Sequence, residues 1–309
     1  MRGCTDCALV DFPDHSNVGD SAIWVGELAW LAESGLRIRY RCDTKSYNRR
    51  HLERAARTGV ILIHGGGNLG DIYRRHQRLR ESVIRDFPDR PIIQLPQTVH
   101  FRDAEALVRT RRVFDAHPNL TLLVRDQPSL DLARREFRAP SLLCPDMAFY
   151  MGPLAAERPP DIDVLWLRRQ DREAVDQAGP ALRDLLVCDW LDERIPVLRH
   201  VRDALRPLAT REPRSVPVLG RVVGAAYDLQ ARRRLRVGCQ LLARGRVVIT
   251  DRLHGHILCL LLGIPHVLLD NNYGKVRRFH DTWTADAPQV RWAESPPDAL
   301  TAARTLLPR

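Results

Sequence analysis

The hydrophobic residues of this 309-residue chain fall into short runs separated by longer segments with helical spacing. Four runs show no alternation of polar and apolar positions and predict strands buried on both faces, at residues 8–10, 60–63, 91–95 and 120–124. Buried strands that alternate with helices are typical of a parallel sheet covered by helices. The first half of the chain is therefore predicted to be an α/β domain with a largely parallel sheet.

The second half repeats this alternation. Three more buried strands and a terminal helix are predicted, at residues 164–167, 247–249, 266–269 and 297–307. The stretch of residues 151–160 lies between the two halves and contains three prolines, which is typical of a boundary. We therefore predict two domains, residues 1–155 and residues 156–309.

The chain is strongly basic, with a formal net charge of +10 and a sequence pI of about 9.7. Only two of its 48 Lys and Arg residues are lysines, Lys45 and Lys275. The arginines are spread along the sequence without interleaved aromatic residues, which argues against a nucleic-acid partner. Because this sequence uses arginine wherever any cation serves, a lysine indicates a position that needs a compact charge or a proton donor.

Cysteine usage and the apolar stretches favour a reduced, cytoplasmic protein. Most of the seven cysteines lie inside apolar runs, where a thiol behaves as a small hydrophobic group. The longest apolar stretch, residues 257–269, is too short to span a bilayer and contains Pro265. No amino-terminal segment has the pattern of a signal peptide.

The strongest local signal is the sequence Arg252-Leu253-His254-Gly255, between a buried strand and an apolar helix. The first N–H groups of a helix and its positive dipole end bind anions, and an arginine adds a bidentate donor for carboxylate or phosphate. His254 can donate a hydrogen bond or transfer a proton. The structural alternative is that Asp251 caps the helix and His254 only bonds neighbouring backbone.

Two other strand ends carry charged candidates. Lys275 follows the strand at residues 266–269, and the structural alternative is that its loop is only a connecting turn. Arg125 follows the strand at residues 120–124, and Asp146 ends a later segment. Ligands of open α/β sheets bind at the carboxyl ends of strands, so these positions are candidates for binding.

The amino-terminal half contributes two loop motifs. In the first, Asn17 and Gly19 are turn residues and Asp20 is a predicted N-cap for a helix starting near Ser21. The second runs from Gly65 to Asp71 and satisfies G-x-G-x-x-G, yet no acidic residue follows a second strand as a dinucleotide site requires. We interpret it as a glycine loop that lets backbone approach a ligand, with these candidate residues: Gly66, Gly67, Asn68 and Asp71. No histidine or carboxylate pattern has metal-ligand spacing.

Seven short motifs together resemble the polysaccharide pyruvyl transferase family and span about residues 8–280. They are Asn17-Val18-Gly19-Asp20, Gly65-Gly66-Gly67-Asn68-Leu69-Gly70-Asp71, Pro96-Gln97-Thr98, Arg125-Asp126-x-x-Ser129, Pro145-Asp146-x-Ala148, Arg252-Leu253-His254-Gly255 and Gly274-Lys275. Each motif is weak alone, and seven in the same order are specific.

This resemblance implies a fold like the GT-B glycosyltransferases, with two Rossmann-like domains facing a cleft. It implies phosphoenolpyruvate as co-substrate, no further cofactor, and a sugar or glycan acceptor that becomes a pyruvate ketal. The implied donor-binding residues are Arg125, Arg252, Leu253, His254 and Lys275, with His254 as the catalytic acid or phosphate ligand. Asp20 or Asp71 is the candidate base, and a lipid-linked acceptor would bring the protein to a membrane surface.

Two other interpretations stay open on the sequence alone. A glycosyltransferase that uses a nucleotide-sugar would bind diphosphate at the same helix end. A non-catalytic basic module would bind an anionic polymer through its net charge.

Overall fold

The computed structural model describes residues 5–168, 185–190, 216–271 and 274–307, with side chains of the third range from residue 220 onward. They form two compact units. The first unit comprises the described residues of Met1–His15, Ile23–Tyr150 and Arg194–Ala231, and the second unit those of Ser16–Ala22, Met151–Glu193 and Arg232–Arg309. The predicted domains 1–155 and 156–309 stay a prediction.

The first sheet has seven strands, which are β1 Asp6–Val10, β2 Arg37–Cys42, β3 Val60–Ile63, β4 Gly66–Gly70, β5 Ile92–His100, β6 Leu120–Val124 and β7 Ser141–Leu143. The helices between them are α1 Val18–Glu33, α2 Arg49–Ala55, α3 Arg74–Asp86, α4 Ala104–Asp115 and α5 Gln127–Glu136. All strand pairs are parallel, in the order β2-β1-β3-β5-β6-β7.

Strands β3 and β4 both pair with β5, one after the other along its length. Strand β3 pairs with residues 92–94 of β5, and β4 pairs with residues 97–100 of the same strand. The register of β5 against β6 shifts between Gln94 and Gln97, around Pro96, which has no N–H to donate to a ladder. The predicted glycine loop is therefore wrong in part, because Gly66, Gly67 and Asn68 lie in a strand.

The second sheet has five strands, which are β8 Ile162–Leu167, β9 Leu185–Cys188, β10 Gly245–Thr250, β11 His266–Leu268 and β12 Val290–Trp292. The described helices of this part of the chain are α6 Val216–Leu242, α7 Leu253–Leu262, α8 Lys275–Trp283 and α9 Pro296–Leu306. These strands are also all parallel, in the order β12-β11-β10-β8-β9. The predicted α/β class with two Rossmann-like sheets is confirmed.

Each sheet packs in its own hydrophobic core. Strand β3 is buried along its whole length, and Phe114, Leu122 and Val124 pack in the same cluster. In the second unit, Trp166, Ile249 and Val267 form a separate cluster with α9. Strands buried on both faces carry continuous apolar sequence, which is why the periodicity predicted them. No helix in the described part of the chain is long and apolar enough to cross a membrane.

The two sheets share one connectivity. In each, the second strand lies on one side of the first, and the later strands extend on the other side. This arrangement creates a crevice at the carboxyl ends of β1 and β3 in the first sheet, and of β8 and β10 in the second. We call these two places the first and second switch points.

Candidate functional site

The second switch point is built by the turn from β10 into α7. Thr250 ends β10, and its Oγ1 accepts a hydrogen bond from the N–H of Arg252 (3.0 Å) and donates one to the carbonyl of Leu167 (3.1 Å). This hydroxyl therefore ties the carboxyl end of β10 to that of β8. Gly255 lets the helix lie close to the strand, because a Cβ there would come 2.6 Å from Thr250 Oγ1.

Arg252 occupies the N-cap position of α7 with extended backbone, and its side chain makes no capping hydrogen bond. Arg252 is 2 % exposed, and its guanidinium donates to Asp189 Oδ2 (2.5 Å), with Cζ 5.8 Å from the ring centre of Trp190. Both partners follow β9, which lies on the other side of β8 from β10, so residues after that edge strand orient the arginine. The alternative in which Asp251 caps the helix is wrong, since Arg252 holds that position.

His254 lies in the first turn of α7 and is largely buried, as is Leu253. Its ring packs on Gly19 of α1, where any added Cβ would overlap the imidazole Nδ1. The Asn17 side chain caps this end of α1, because its Oδ1 accepts from the N–H of Gly19 (3.0 Å). The motifs around residues 17–20 and 252–255 therefore meet in the second unit.

This contact also corrects the predicted start of α1. The helix begins at Val18, three residues before the predicted position, because Asn17 supplies the cap. Asp20 is therefore not the N-cap but lies in the first turn, where its Oδ2 accepts from the Asn17 amide (2.8 Å). A carboxylate in the first turn is favoured by the helix dipole.

Lys275 is the first residue of α8, after the loop that follows β11. Its N–H donates to Asn271 Oδ1 (3.0 Å), and the preceding Gly274 takes a left-handed conformation with φ of 67°. Because β11 is parallel to β10, this loop lies on the same edge of the sheet as the start of α7. Burial raises the pKa of Asp270 in this loop, although the N–H groups of Asn271, Arg277 and Val276 oppose the shift.

Arg125 lies in the first unit, directly after β6, and is 1 % exposed. Its guanidinium donates to Asp146 Oδ2 (2.5 Å) and to Thr98 Oγ1 (3.0 Å). Thr98 Oγ1 in turn donates to Asp126 Oδ2 (2.8 Å), the N-cap of α5. Three predicted motifs thus form one buried polar network at the carboxyl edge of the first sheet, and donor binding by Arg125 stays a prediction.

The glycine motif has a structural reason for its composition. Gly66 and Gly70 have φ of 123° and 140°, which side chains rarely adopt, and a Cβ at Gly70 would overlap the carbonyl of His100. Asn68 donates its N–H to Gln97 Oε1 (3.0 Å). Asp71 accepts from two N–H groups at the start of α4, those of Arg102 (2.8 Å) and Asp103 (2.6 Å). Its carboxylate therefore anchors that loop, and its role as a base stays a prediction.

A row of buried histidines beside α7 was missed by the sequence analysis. His266 Nδ1 donates to the carbonyl of Ile264 (2.8 Å), so its Nε2 must accept from His256 Nδ1 (2.7 Å). His256 Nε2 then accepts from the hydroxyl of Thr284 (2.8 Å), whose oxygen accepts from His280 Nδ1 (3.0 Å). Each ring is thus held neutral with one proton. Two sequence features could have indicated this row: His256 lies inside an apolar helix, and His266 lies inside a buried strand.

Burial keeps these rings neutral. It lowers the pKa of His266 to about 4, and it lowers the pKa of His256 well below its usual range, helped by the nearby His266 and His280. Burial also lowers the pKa of His280. Within the described residues, no three His, Cys, Asp or Glu side chains converge as ligands for a metal ion.

Two parallel Rossmann-like sheets, with an arginine and a histidine at a helix start on the carboxyl edge of one of them, define a Rossmann-like α/β protein, a class of fold in which such helix starts commonly bind anions. Comparison with known proteins gives the family. The model of the polysaccharide pyruvyl transferase family matches residues 17–273. The chain belongs to this family, which places it among the pyruvyl transferases of polysaccharide biosynthesis.

Similar proteins agree with this assignment. The chain is 36 % identical to "Pyruvyl transferase 1" of Schizosaccharomyces pombe over 305 residues, covering 92 % of this chain and 71 % of that protein. It is 30 % identical to "Putative pyruvyl transferase EpsO" of Bacillus subtilis, covering 93 % of this chain and 88 % of that protein. A crystal structure of an uncharacterised protein from Klebsiella pneumoniae matches with a TM-score of 0.60 at 18 % identity, covering 94 % of both chains, and shows the fold alone.

Proposed function

We propose that this chain transfers the enolpyruvyl group of phosphoenolpyruvate onto two hydroxyls of a sugar, giving a pyruvate ketal and phosphate. The observation that carries the proposal is the placement of Arg252 and His254 at the start of α7, at the second switch point. Phosphoenolpyruvate presents a phosphate and a carboxylate, the groups that a helix amino terminus and an arginine bind. The glycan acceptor follows from the family.

The geometry suggests a role for each side chain. Asp189 and Trp190 hold the guanidinium of Arg252 in one orientation beside the helix start. Arg252 and Lys275 are proposed to bind the phosphate and the carboxylate of the donor. Charge builds up on the departing phosphate, so fixed cations and helix N–H groups lower the barrier electrostatically.

The chemistry needs a proton at the methylene carbon of the donor before a hydroxyl attacks the neighbouring carbon. His254 is proposed to supply that proton or to bind the phosphate, since its ring is held in place by Gly19. Two hydroxyl protons leave the sugar over the whole reaction. One ends on the new methyl group and the other on the released phosphate, so no oxidant or reductant is needed.

A thermal-shift measurement tests which donor binds. Phosphoenolpyruvate should raise the melting temperature of the protein, because a ligand that binds only the folded state stabilises it. A shift with nucleoside diphosphates and none with phosphoenolpyruvate would favour a nucleotide-sugar glycosyltransferase. Binding only to anionic polymers, weakened by salt and unchanged in the His254→Ala variant, would favour the non-catalytic module.

Turnover is tested by phosphate release from phosphoenolpyruvate with p-nitrophenyl glycosides of galactose, glucose, mannose and N-acetylglucosamine. We expect release with at least one acceptor, and a loss of at least about 1000-fold in the His254→Ala variant with an unchanged melting temperature. Near-normal turnover in a folded His254→Ala variant would contradict the assignment.

A further inference from the structure

A pocket with basic walls lies wholly within the first unit, between the loop that follows β2 and helix α3. It encloses about 530 Å³, and we call it the basic pocket. Its lining includes three cations and two hydroxyl-bearing residues, and no acidic residue: Lys45, Arg75, Arg78, Thr44 and Ser82. Because the loop begins at the carboxyl end of β2, the pocket lies at the edge of the sheet where open α/β sheets bind ligands.

One wall of the basic pocket is a face of α3. Arg75, Arg78 and Ser82 follow the helical spacing of three and four residues, so they share this face. Like charges at this spacing destabilise a helix, and the helix dipole disfavours cations in the first turn. Among the described residues, neither arginine has an ion pair or a hydrogen bond, whereas Arg85 of the same helix lies 3.6 Å from Glu81 Oε2. The pocket therefore concentrates positive charge where the helix itself favours an anion.

The opposite wall is a loop that its own hydrogen bonds hold in place. Asp43 Oδ1 accepts from the N–H groups of Lys45 (2.8 Å) and Ser46 (2.8 Å). The hydroxyl of Tyr47 donates to Asp86 Oδ2 (2.7 Å), and its ring packs against the core of the first sheet. Both carboxylates are thus bonded to the loop, which presents Lys45 towards the pocket on a fixed backbone.

Lys45 is one of the two lysines among the 48 Lys and Arg residues of the chain. Its ammonium group is half exposed and lies 3.5 Å from Asp14 Oδ2, which is long for a charge-assisted hydrogen bond. Lysine binds phosphate as a compact point charge, and arginine binds it through two parallel N–H groups. The basic pocket contains both kinds of cation.

We propose that the basic pocket binds a diphosphate group. Two arginines one helical turn apart, with a lysine on the opposite wall, match two adjacent phosphates better than the single charge of a carboxylate. The hydroxyls of Thr44 and Ser82 are additional hydrogen-bond donors for phosphate oxygens. Lipid-linked sugars and nucleotides both carry such a group. The inference does not rest on the proposed function, because it concerns the first unit alone and the donor is assigned to the second.

Calorimetric titration of pyrophosphate at about 0.15 M salt compares the wild type with Arg75→Gln, Arg78→Gln and Lys45→Gln. Glutamine is a good helix former, so α3 should be retained in the arginine variants. We expect about 10-fold weaker binding in each variant, because each loses one charge-assisted contact. Arg85→Gln removes the same charge from the same helix outside the pocket, and its affinity should stay within about twofold of the wild type. Wild-type affinity in all three pocket variants would overturn the proposal.

Hydrogen exchange of the wild type locates the ion without any substitution. Pyrophosphate should protect residues 43–47 and 74–82, because binding orders the groups that contact it. Protection confined to other segments would overturn the proposal. Inorganic phosphate should bind at least about 10-fold more weakly than pyrophosphate. Equal affinity for the two ions would contradict a diphosphate site.

Two esters identify what carries the diphosphate. Uridine diphosphate represents the nucleotides and geranyl diphosphate the lipids, and each is titrated in competition with pyrophosphate. Displacement by either ester supports the proposal, and the ester that binds more tightly identifies the source. If neither displaces pyrophosphate, the pocket does not accept a diphosphate ester and the proposal is wrong.

Phosphoenolpyruvate also carries a phosphate, so the same titrations must separate the basic pocket from the second switch point. Pyrophosphate affinity should be unchanged in Arg252→Ala, and phosphoenolpyruvate affinity should be unchanged in Arg75→Gln. Loss of pyrophosphate binding in Arg252→Ala alone would place the ion at the second switch point and overturn this inference, leaving the proposed function intact. A protein that binds pyrophosphate as expected and does not bind phosphoenolpyruvate would contradict the proposed function and support the basic pocket.

Discussion

The two switch points have the same strand connectivity and different chemistry. The second carries Arg252 and His254 at the start of a helix, and Lys275 follows the neighbouring strand. The first carries Asp11 bound to His76. One topology therefore presents cationic groups in one sheet and a carboxylate–histidine pair in the other.

The partners of the histidines also differ between the two units. In the first unit His64 and His76 each bind a carboxylate, whereas in the second His256 and His266 bind each other. In the second unit burial opposes a charge on either ring and lowers both pKa values. The comparison therefore predicts that acid acts first on the second unit.

The largest expected effect is a loss of folding stability in the second unit when the pH falls. Because the pKa of His266 is about 4 in the folded state and near 6.5 when unfolded, the unfolded chain binds more protons between these values. Stability contributed by the neutral ring is present above pH 6.5 and is lost as the pH falls through about 4. The loss from His266 is on the order of 3 kcal/mol.

Denaturant unfolding from pH 7 to pH 4 measures this loss, and hydrogen exchange locates it. We expect α7 and β11 to lose protection before β1 and α3. In the His266→Gln variant, whose amide oxygen can still accept from His256, the pH dependence should be flatter. The same slope in variant and wild type would show that the histidine row does not control acid stability.

A smaller effect is expected from Gly19→Ala. The added methyl group would overlap the ring of His254, so the imidazole must move from the helix start. We expect turnover to fall about 100-fold, since small displacements of a reacting group are costly. Gly220→Ala in α6 is the matched control, because a Cβ there meets nothing within 4 Å. If both variants are equally active, His254 does not need its position against Gly19.

The smallest effect is expected from Lys275→Arg, which keeps the charge and changes its shape. We expect turnover to fall about 10-fold, because a guanidinium cannot replace a compact ammonium at close range. Full activity of Lys275→Arg would mean that charge alone is sufficient at this position.

The sequence predicted the buried strands and the turn from β10 into α7. Strands β3 and β6 have the predicted bounds, because continuous apolar runs identify strands covered on both faces. The turn at Arg252 was found because a strand end, a helix start and an anion-binding residue coincide there. Edge strands β2, β9 and β12 were not predicted, since polar or short segments carry little periodicity.

The first switch point could not be predicted in the same way. Asp11 and His76 are 65 residues apart, and neither belongs to a motif of recognised spacing. Their contact depends on the left-handed turn at Asp11 and on the position of α3, which only tertiary packing determines. The contact between Gly19 and His254 was equally unpredictable, because it depends on tertiary packing and neither residue indicates it in the sequence.

The central claim is that the second switch point binds phosphoenolpyruvate through the residues at the start of α7. Calorimetric titration of phosphoenolpyruvate into the wild type, the His76→Gln variant and the Arg252→Ala variant tests it without any acceptor. We predict equal affinity for the first two proteins and at least about 100-fold weaker binding for the third. Wild-type affinity in a folded Arg252→Ala variant would contradict the account.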